Sequence, residues 1–178
     1  MASPLDFAKA LLNRLGLPHS QNRLVGLVAF EAEEGGHYHN GARYNPLNTS
    51  LPMPGARSVI GAVKAYTSWQ QGVEATARTI VQSNMRPILD ALKADASPQV
   101  FLKAITATPW CPQSSPGCAD YAQRDAYALY KQYANTADPV GGGLATAGGT
   151  DWKTIAIVAA VIVAAGGVAY AVKKRRWR

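Results

Sequence analysis

The sequence predicts a mainly α-helical globular domain with at most a short β-hairpin, followed by a single transmembrane helix near the C-terminus. Apolar residues recur at helical spacing in several segments, two of which open on serine and close on glycine, whereas no alternating run of strand type is convincing. After Asp138 the composition changes abruptly, first to a glycine-rich stretch and then to an uncharged one dominated by Ala, Val and Ile. Four regions follow: residues 1–137 as the globular domain, 138–151 as a flexible linker, 152–173 as the membrane helix and 174–178 as a basic tail.

Pro4 to Leu15 is amphipathic, with Ser3 as its cap and Gly16 as its stop. The next helix begins after Ser20 and is apolar through Leu24, Val25, Leu27, Val28, Ala29 and Phe30, so it should be buried; Gly35 and Gly36 end it. Proline and glycine punctuation between Tyr44 and Tyr66 fits a short hairpin. Further helices are expected at Ser68 to Ser83, Pro87 to Ala94, Pro98 to Thr106 and Ala119 to Ala134. Roughly 135 residues suffice for one core. From Thr154 to Val172 there is no charged residue, and at ~1.5 Å per residue that length crosses a ~30 Å hydrocarbon layer. Trp152 and Lys153 mark one interface, and Tyr170 with the basic tail marks the other.

Chemistry concentrates where the buried helix ends, at Glu31-Ala32-Glu33-Glu34-Gly35-Gly36. A glutamate in that last turn is desolvated by apolar neighbours and repelled by the negative end of the helix dipole, and both effects raise its pKa. A carboxyl group still protonated near neutral pH suits general acid catalysis. The alternative is a charged helix terminus without chemistry, the common state of acidic residues on helices.

Several ordered motifs give this cluster a context. They are Ala-Phe-x-x-x-Glu-Gly-Gly from Ala29; Ala42-Arg43-Tyr44-Asn45-Pro46-Leu47-Asn48-Thr49; Pro54-Gly55-Ala56; and Tyr66-Thr67-Ser68-Trp69-Gln70-Gln71-Gly72-Val73-Glu74-Ala75-Thr76. Over residues 20 to 130 the chain resembles the lysozyme-like and lytic-transglycosylase domains of bacteriophages. The resemblance implies a small helical fold that cleaves the β-1,4 bond between N-acetylmuramic acid and N-acetylglucosamine in peptidoglycan. By position it implies that Glu34 is the general acid. Glu31, one turn earlier, is the reserve candidate, and Glu33 is expected to point into solvent.

Glycosidases commonly use two carboxylates, but the other acids lie in no comparable motif. Glu74 is expected in the first turn of its helix for the dipole alone. One glutamate assisted by the substrate's N-acetyl group is therefore expected, as in lytic transglycosylases, with hydrolysis by a second acid the alternative. Tyr44, Asn45, Asn48, Thr49, Tyr66 and Trp69 offer hydrogen bonds and flat faces for a saccharide groove, or else merely hold the loop. Trp110 is expected in the core or the groove floor. His37 and His39 resemble a partial zinc site, but a third ligand is missing from the pattern, so no metal or other cofactor is expected.

Cys111 and Cys118 bracket a turn-rich loop that a local disulfide would brace; an oxidising location favours the bond, and two free thiols are the alternative. Residues 151–178 hold six of the 18 Lys and Arg and one of the 11 Asp and Glu, so the net charge of +7 lies mostly in the tail. Such a tail suits anionic lipid and could touch packaged DNA; nothing in the globular part resembles a nucleic-acid reader. A basic C-terminus facing the cytoplasm puts the domain outside, yet Met1 to Phe7 begins no signal peptide. A single-pass protein of the internal membrane of a tailless phage virion, with capsid proteins as a further expected contact, reconciles the two. The alternatives are a host membrane enzyme with its domain outside, or a non-catalytic virion protein that binds peptidoglycan or links capsid to membrane.

Overall fold

A computed structural model of the chain describes residues 3–35, 41–112, 114–115 and 117–136. They form a mainly helical domain: α1 (Pro4–Leu15), α2 (Gln21–Glu34), the strands β1 (Arg57–Ile60) and β2 (Val63–Ala65), α3 (Trp69–Ile80), a 3-10 turn (Ser83–Met85), α4 (Arg86–Lys93), α5 (Pro98–Thr106), a second 3-10 turn (Tyr121–Gln123) and α6 (Ala126–Tyr133). Among the described residues no helix is long and apolar enough to cross a membrane. The expected span at 152–173, the linker, the basic tail and the His37/His39 pair lie outside those residues.

The expected caps Ser3 and Ser20 form: Ser3 makes a reciprocal capping box with Asp6, and Ser20 accepts from the backbone N–H three residues on, as do Ser68 and Ser97 at the starts of α3 and α5. Two expected helices are shorter than foreseen. The segment Ser68 to Ser83 gives α3 only to Ile80, and a 3-10 turn then leads directly into α4. Ala119 to Ala134 is divided because Arg124 is extended and the Asp125 carboxylate accepts from the N–H groups of Tyr127 and Ala128, so a new helix starts there. The hairpin falls within the expected window, with antiparallel pairs Arg57 to Ala65 and Ser58 to Lys64.

α2 is the hub. Arg23 and every residue from Val25 to Glu31 are buried, and α1, α5 and α6 pack around it. A helix apolar on all sides must be surrounded. At its start the Arg23 guanidinium, only 7% exposed, donates to the carbonyls of Leu92 (2.7 Å), Lys93 (3.3 Å) and Pro18 (3.3 Å). This places a cation at the negative end of α4. At the far end of the helix, Phe30 meets Phe101, Trp110 and Tyr121 edge to face.

The connection from Gly41 to Thr67 is held mainly by side-chain hydrogen bonds. Its turn at Tyr44 rests on α3 at Gly72, where a Cβ atom would lie 1.7 Å from the Tyr44 carbonyl oxygen. That explains glycine in the Trp69-x-x-Gly72 motif. Gly72→Ala is expected to lower the unfolding free energy by about 1–3 kcal/mol through overpacking against backbone, read as a lower urea midpoint with an unchanged m-value.

Candidate active site

Three carboxylates, Glu31, Glu33 and Glu34, occupy the last turn of α2, and their surroundings differ. Glu31 is fully buried at 0% exposure, whereas Glu34 is partly accessible. Gly35, in the left-handed region at φ 54°, caps the helix by donating its N–H to the Glu31 carbonyl (2.8 Å). The helix therefore ends at Glu34, whose side chain sits at its rim.

Tyr121 and Asn48 fix the Glu34 carboxyl. The Tyr121 hydroxyl donates to Oε1 at 3.0 Å. The Asn48 amide donates to Oε2 at 3.2 Å and to the Glu34 backbone carbonyl at 2.8 Å, satisfying one of the open carbonyls of the helix terminus. Asn48 reaches both from the left-handed region, φ 54°, which asparagine tolerates better than most residues. Burial raises the Glu34 pKa to about 7; the two hydrogen bonds oppose the shift and the neighbouring Glu33 charge adds to it. Burial and the nearby carboxylates push the Tyr121 phenol far above its ordinary value, so it stays protonated and remains a donor.

Glu33 is not the solvated residue expected from sequence. It is half-buried and pairs with Arg124 Nε at 3.2 Å, and burial raises its pKa while Arg124 lowers it. Glu74 does not lie in the first turn of its helix, as expected, but in the second turn of α3, where Arg14 binds its carboxylate through two nitrogens and Arg78 lies 3.8 Å away. The Arg14 hydrogen bond holds its pKa below the usual range.

The residues expected to line a groove divide into two groups. Asn45 (0% exposed) and Thr49 (2%) face inward. The Asn45 amide donates to the carbonyls of Thr49 (2.8 Å) and Lys64 (2.7 Å), and its oxygen accepts from the Thr49 N–H (2.9 Å) and hydroxyl (3.1 Å). These bonds use both amide protons and both lone pairs, so Asn45 staples the loop instead of facing a sugar. The Thr49 hydroxyl also meets Tyr66 Oη at 2.6 Å, and Tyr66 donates to Leu51 O from a buried position. Tyr66 is thus loop core, not a stacking face. Trp69 packs edge to face on Phe7 at 5.2 Å. Tyr44 is partly exposed, but the Arg43 guanidinium lies 4.8 Å over its ring. Asn48 alone of the six touches the candidate acid.

Trp110 lies against Phe30 and donates from Nε1 to the Leu47 carbonyl at 3.0 Å, joining the loop to the core beside the helix end. Cys111 and Cys118 form a disulfide with Cα atoms 5.4 Å apart. Tyr121 was not foreseeable as a partner of Glu34: a tyrosine 87 residues along the chain, outside every quoted motif, carries no signal of its destination. Among the described residues no cluster of three or more His, Cys, Asp or Glu side chains is arranged to hold a metal ion. No protein-family model matches the chain, and comparisons with curated proteins and with solved structures return no match.

Removing the Asn45 side chain in Asn45→Ala leaves buried groups of Thr49 and Lys64 without their partner and is expected to cost about 2–3 kcal/mol in chemical denaturation. Glu34 also makes stability depend on pH. Its folded pKa lies above the ordinary 4.5, so the folded state holds the proton longer and stability falls as pH rises from about 4.5 to 7. Glu34→Gln is therefore expected to be more stable than the wild type at pH 8, by about 1–3 kcal/mol, with the difference vanishing below pH 4.5. Equal stabilities at both pH values would show that Glu34 is not held protonated.

Proposed function

We propose that the domain is a peptidoglycan-cleaving glycosidase, a lytic transglycosylase or lysozyme acting on the β-1,4 bond between N-acetylmuramic acid and N-acetylglucosamine. The observation that carries this reading is the Glu34 carboxyl, raised to about 7, oriented by Tyr121 and Asn48 and partly accessible at the end of a buried helix. Such a group is half protonated at neutral pH and can act in both directions, as acid and then as base. Glu31, sealed from solvent, is less suited to proton exchange with a substrate. The ordered motifs from Ala29 to Thr76 add the resemblance to phage muralytic domains.

In the proposed sequence Glu34 protonates the glycosidic oxygen as the bond to C1 breaks, and the acetamido oxygen of the same muramic residue closes on C1. The resulting Glu34 carboxylate then accepts a proton from the C6 hydroxyl, which attacks C1 and yields an anhydro-muramic end. A water molecule in place of that hydroxyl yields a reducing end. The Tyr121 and Asn48 donors stabilise the carboxylate formed between the two steps. The disulfide supports action in an oxidising setting outside the cytoplasm, and the apolar 154–172 segment supports a tether to a bilayer. We extend the proposal to a virion membrane protein that opens the wall for genome delivery. A non-catalytic wall-binding or capsid-linking protein is the competing function.

Product analysis tests the proposal. The full chain in detergent, wild type and Glu34→Gln, is incubated with peptidoglycan, and released muropeptides are identified by mass spectrometry. Anhydro-muramic ends made by the wild type alone are expected of a transglycosylase, reducing ends of a lysozyme. Folded wild type that binds peptidoglycan without cleaving it would favour the structural role.

A further inference from the structure

Tyr121 reaches Glu34 from a segment with little framework of its own. Among the described residues its backbone hydrogen bonds are all short-range: Cys118 to Ser115, Tyr121 to Cys118, Gln123 to Asp120 and Arg124 to Tyr121. The single 3-10 turn at Tyr121–Gln123 has no side-chain cap. Segments held this way open easily unless something else restrains them. Three restraints act here: Tyr121 is buried against Phe30, Arg124 pairs with Glu33, and a covalent bond closes the preceding loop. Cys118 lies one turn before Tyr121, its carbonyl accepts the Tyr121 N–H at 3.2 Å, and its sulfur is bonded to Cys111 at the end of α5's exit loop. Both cysteines are nearly buried, at 5% and 9% exposure, in the same apolar cluster as Phe30 and Tyr121.

We propose that the Cys111–Cys118 disulfide is a redox gate on Glu34: the bond seats Tyr121 over the carboxyl, and its reduction releases that segment and lets water reach the acid. This rests on the muralytic reading of Glu34 and adds its regulation. The gating step is a thiol–disulfide exchange in which a dithiol supplies two electrons and two protons, the Cys111–Cys118 bond breaks to two thiols, and the dithiol leaves as its own disulfide.

Two effects on Glu34 oppose each other, and their signs separate the gate from simple loss of a hydrogen bond. The Tyr121 hydroxyl favours the carboxylate, so removing it alone raises the pKa. Burial is the larger influence and favours the neutral acid, so releasing the whole segment lowers the pKa. Among the described residues the charged and titratable groups around Glu34 are Glu31 and Glu33 on its own helix and Tyr121 and Arg124 on the gated segment; Asn48, from the 41–56 loop, is neutral. Release of the segment also takes Arg124 from Glu33, which moves Glu34 slightly upward, against the dominant effect of water.

The test uses the full chain, 13C-labelled at glutamate, in detergent micelles; the Glu34 signal is the one lost in Glu34→Gln. With the disulfide intact the Glu34 midpoint is expected near 7. Reduction by dithiothreitol should lower it by a unit or more with far-UV circular dichroism unchanged, and reoxidation should restore it. Tyr121→Phe with the disulfide intact should raise it. At pH 7 a fall of one unit reduces the protonated fraction, and with it muropeptide release, by about five-fold. A midpoint that stays fixed or rises on reduction, or a domain that unfolds globally when reduced, overturns the gate. Absence of muropeptides from the oxidised wild type would overturn the glycosidase assignment instead, while the titration would still decide the coupling.

Discussion

From Val25 to Glu31 helix α2 is buried on every side, and the rest of the domain is organised by that constraint. Covering it on all sides requires α1, α5 and α6 to converge on it, and the polar groups at its two ends are consequently held in a medium that solvates them poorly. The two ends meet this cost differently. At the first, three carbonyl oxygens and Asp95, 3.7 Å away, surround the Arg23 guanidinium. Among the described residues Glu34 receives two neutral donors, and these do not offset its desolvation, so it keeps its proton further up the pH scale. The same burial that holds the core together thus creates a poised acid at the helix's rim.

The long connection after α2 shows how irregular backbone can be made rigid. Asn45 takes the place of a strand partner, bonding to backbone on both Thr49 and Lys64, while the Lys64 N–H donates to the Thr49 carbonyl. Tyr66 and Trp110 each spend a polar atom on a loop carbonyl. Asn48 is thereby presented to Glu34 from a fixed position, with a strained but tolerated φ. Preorganising a donor in this way is how a protein stabilises a charge that appears only during a reaction.

Much of the helical framework was legible in the residues because caps and stops are local chemistry: Ser3, Ser20 and Ser68 begin helices and Gly16 and Gly35 end them for reasons contained within a few positions. The Cys111–Cys118 bond was legible for the same reason. The break at Asp125 was missed because an apolar pattern continuous from Ala119 outweighed one capping residue. At the site, asparagine, threonine and tyrosine have the same hydrogen-bonding groups whether they hold a sugar or a loop, so sequence could not divide Asn48 from Asn45, Thr49 and Tyr66. Glu33 was misplaced because its partner, Arg124, lies far along the chain. Long-range pairing of this kind, like that of Tyr121 with Glu34, is decided by packing.

The bond from the Leu5 N–H to the Ala134 carbonyl, 3.1 Å long, has a further implication. It ties the first helix to the end of the last, so the polypeptide enters and leaves the domain at one place. Whatever is joined at either end then pulls on a single point of the surface, and tension along the chain is carried between α1 and α6 without being transmitted through the hairpin or the loop that presents Asn48. A domain wired in this manner can be attached through either end with little load crossing that loop.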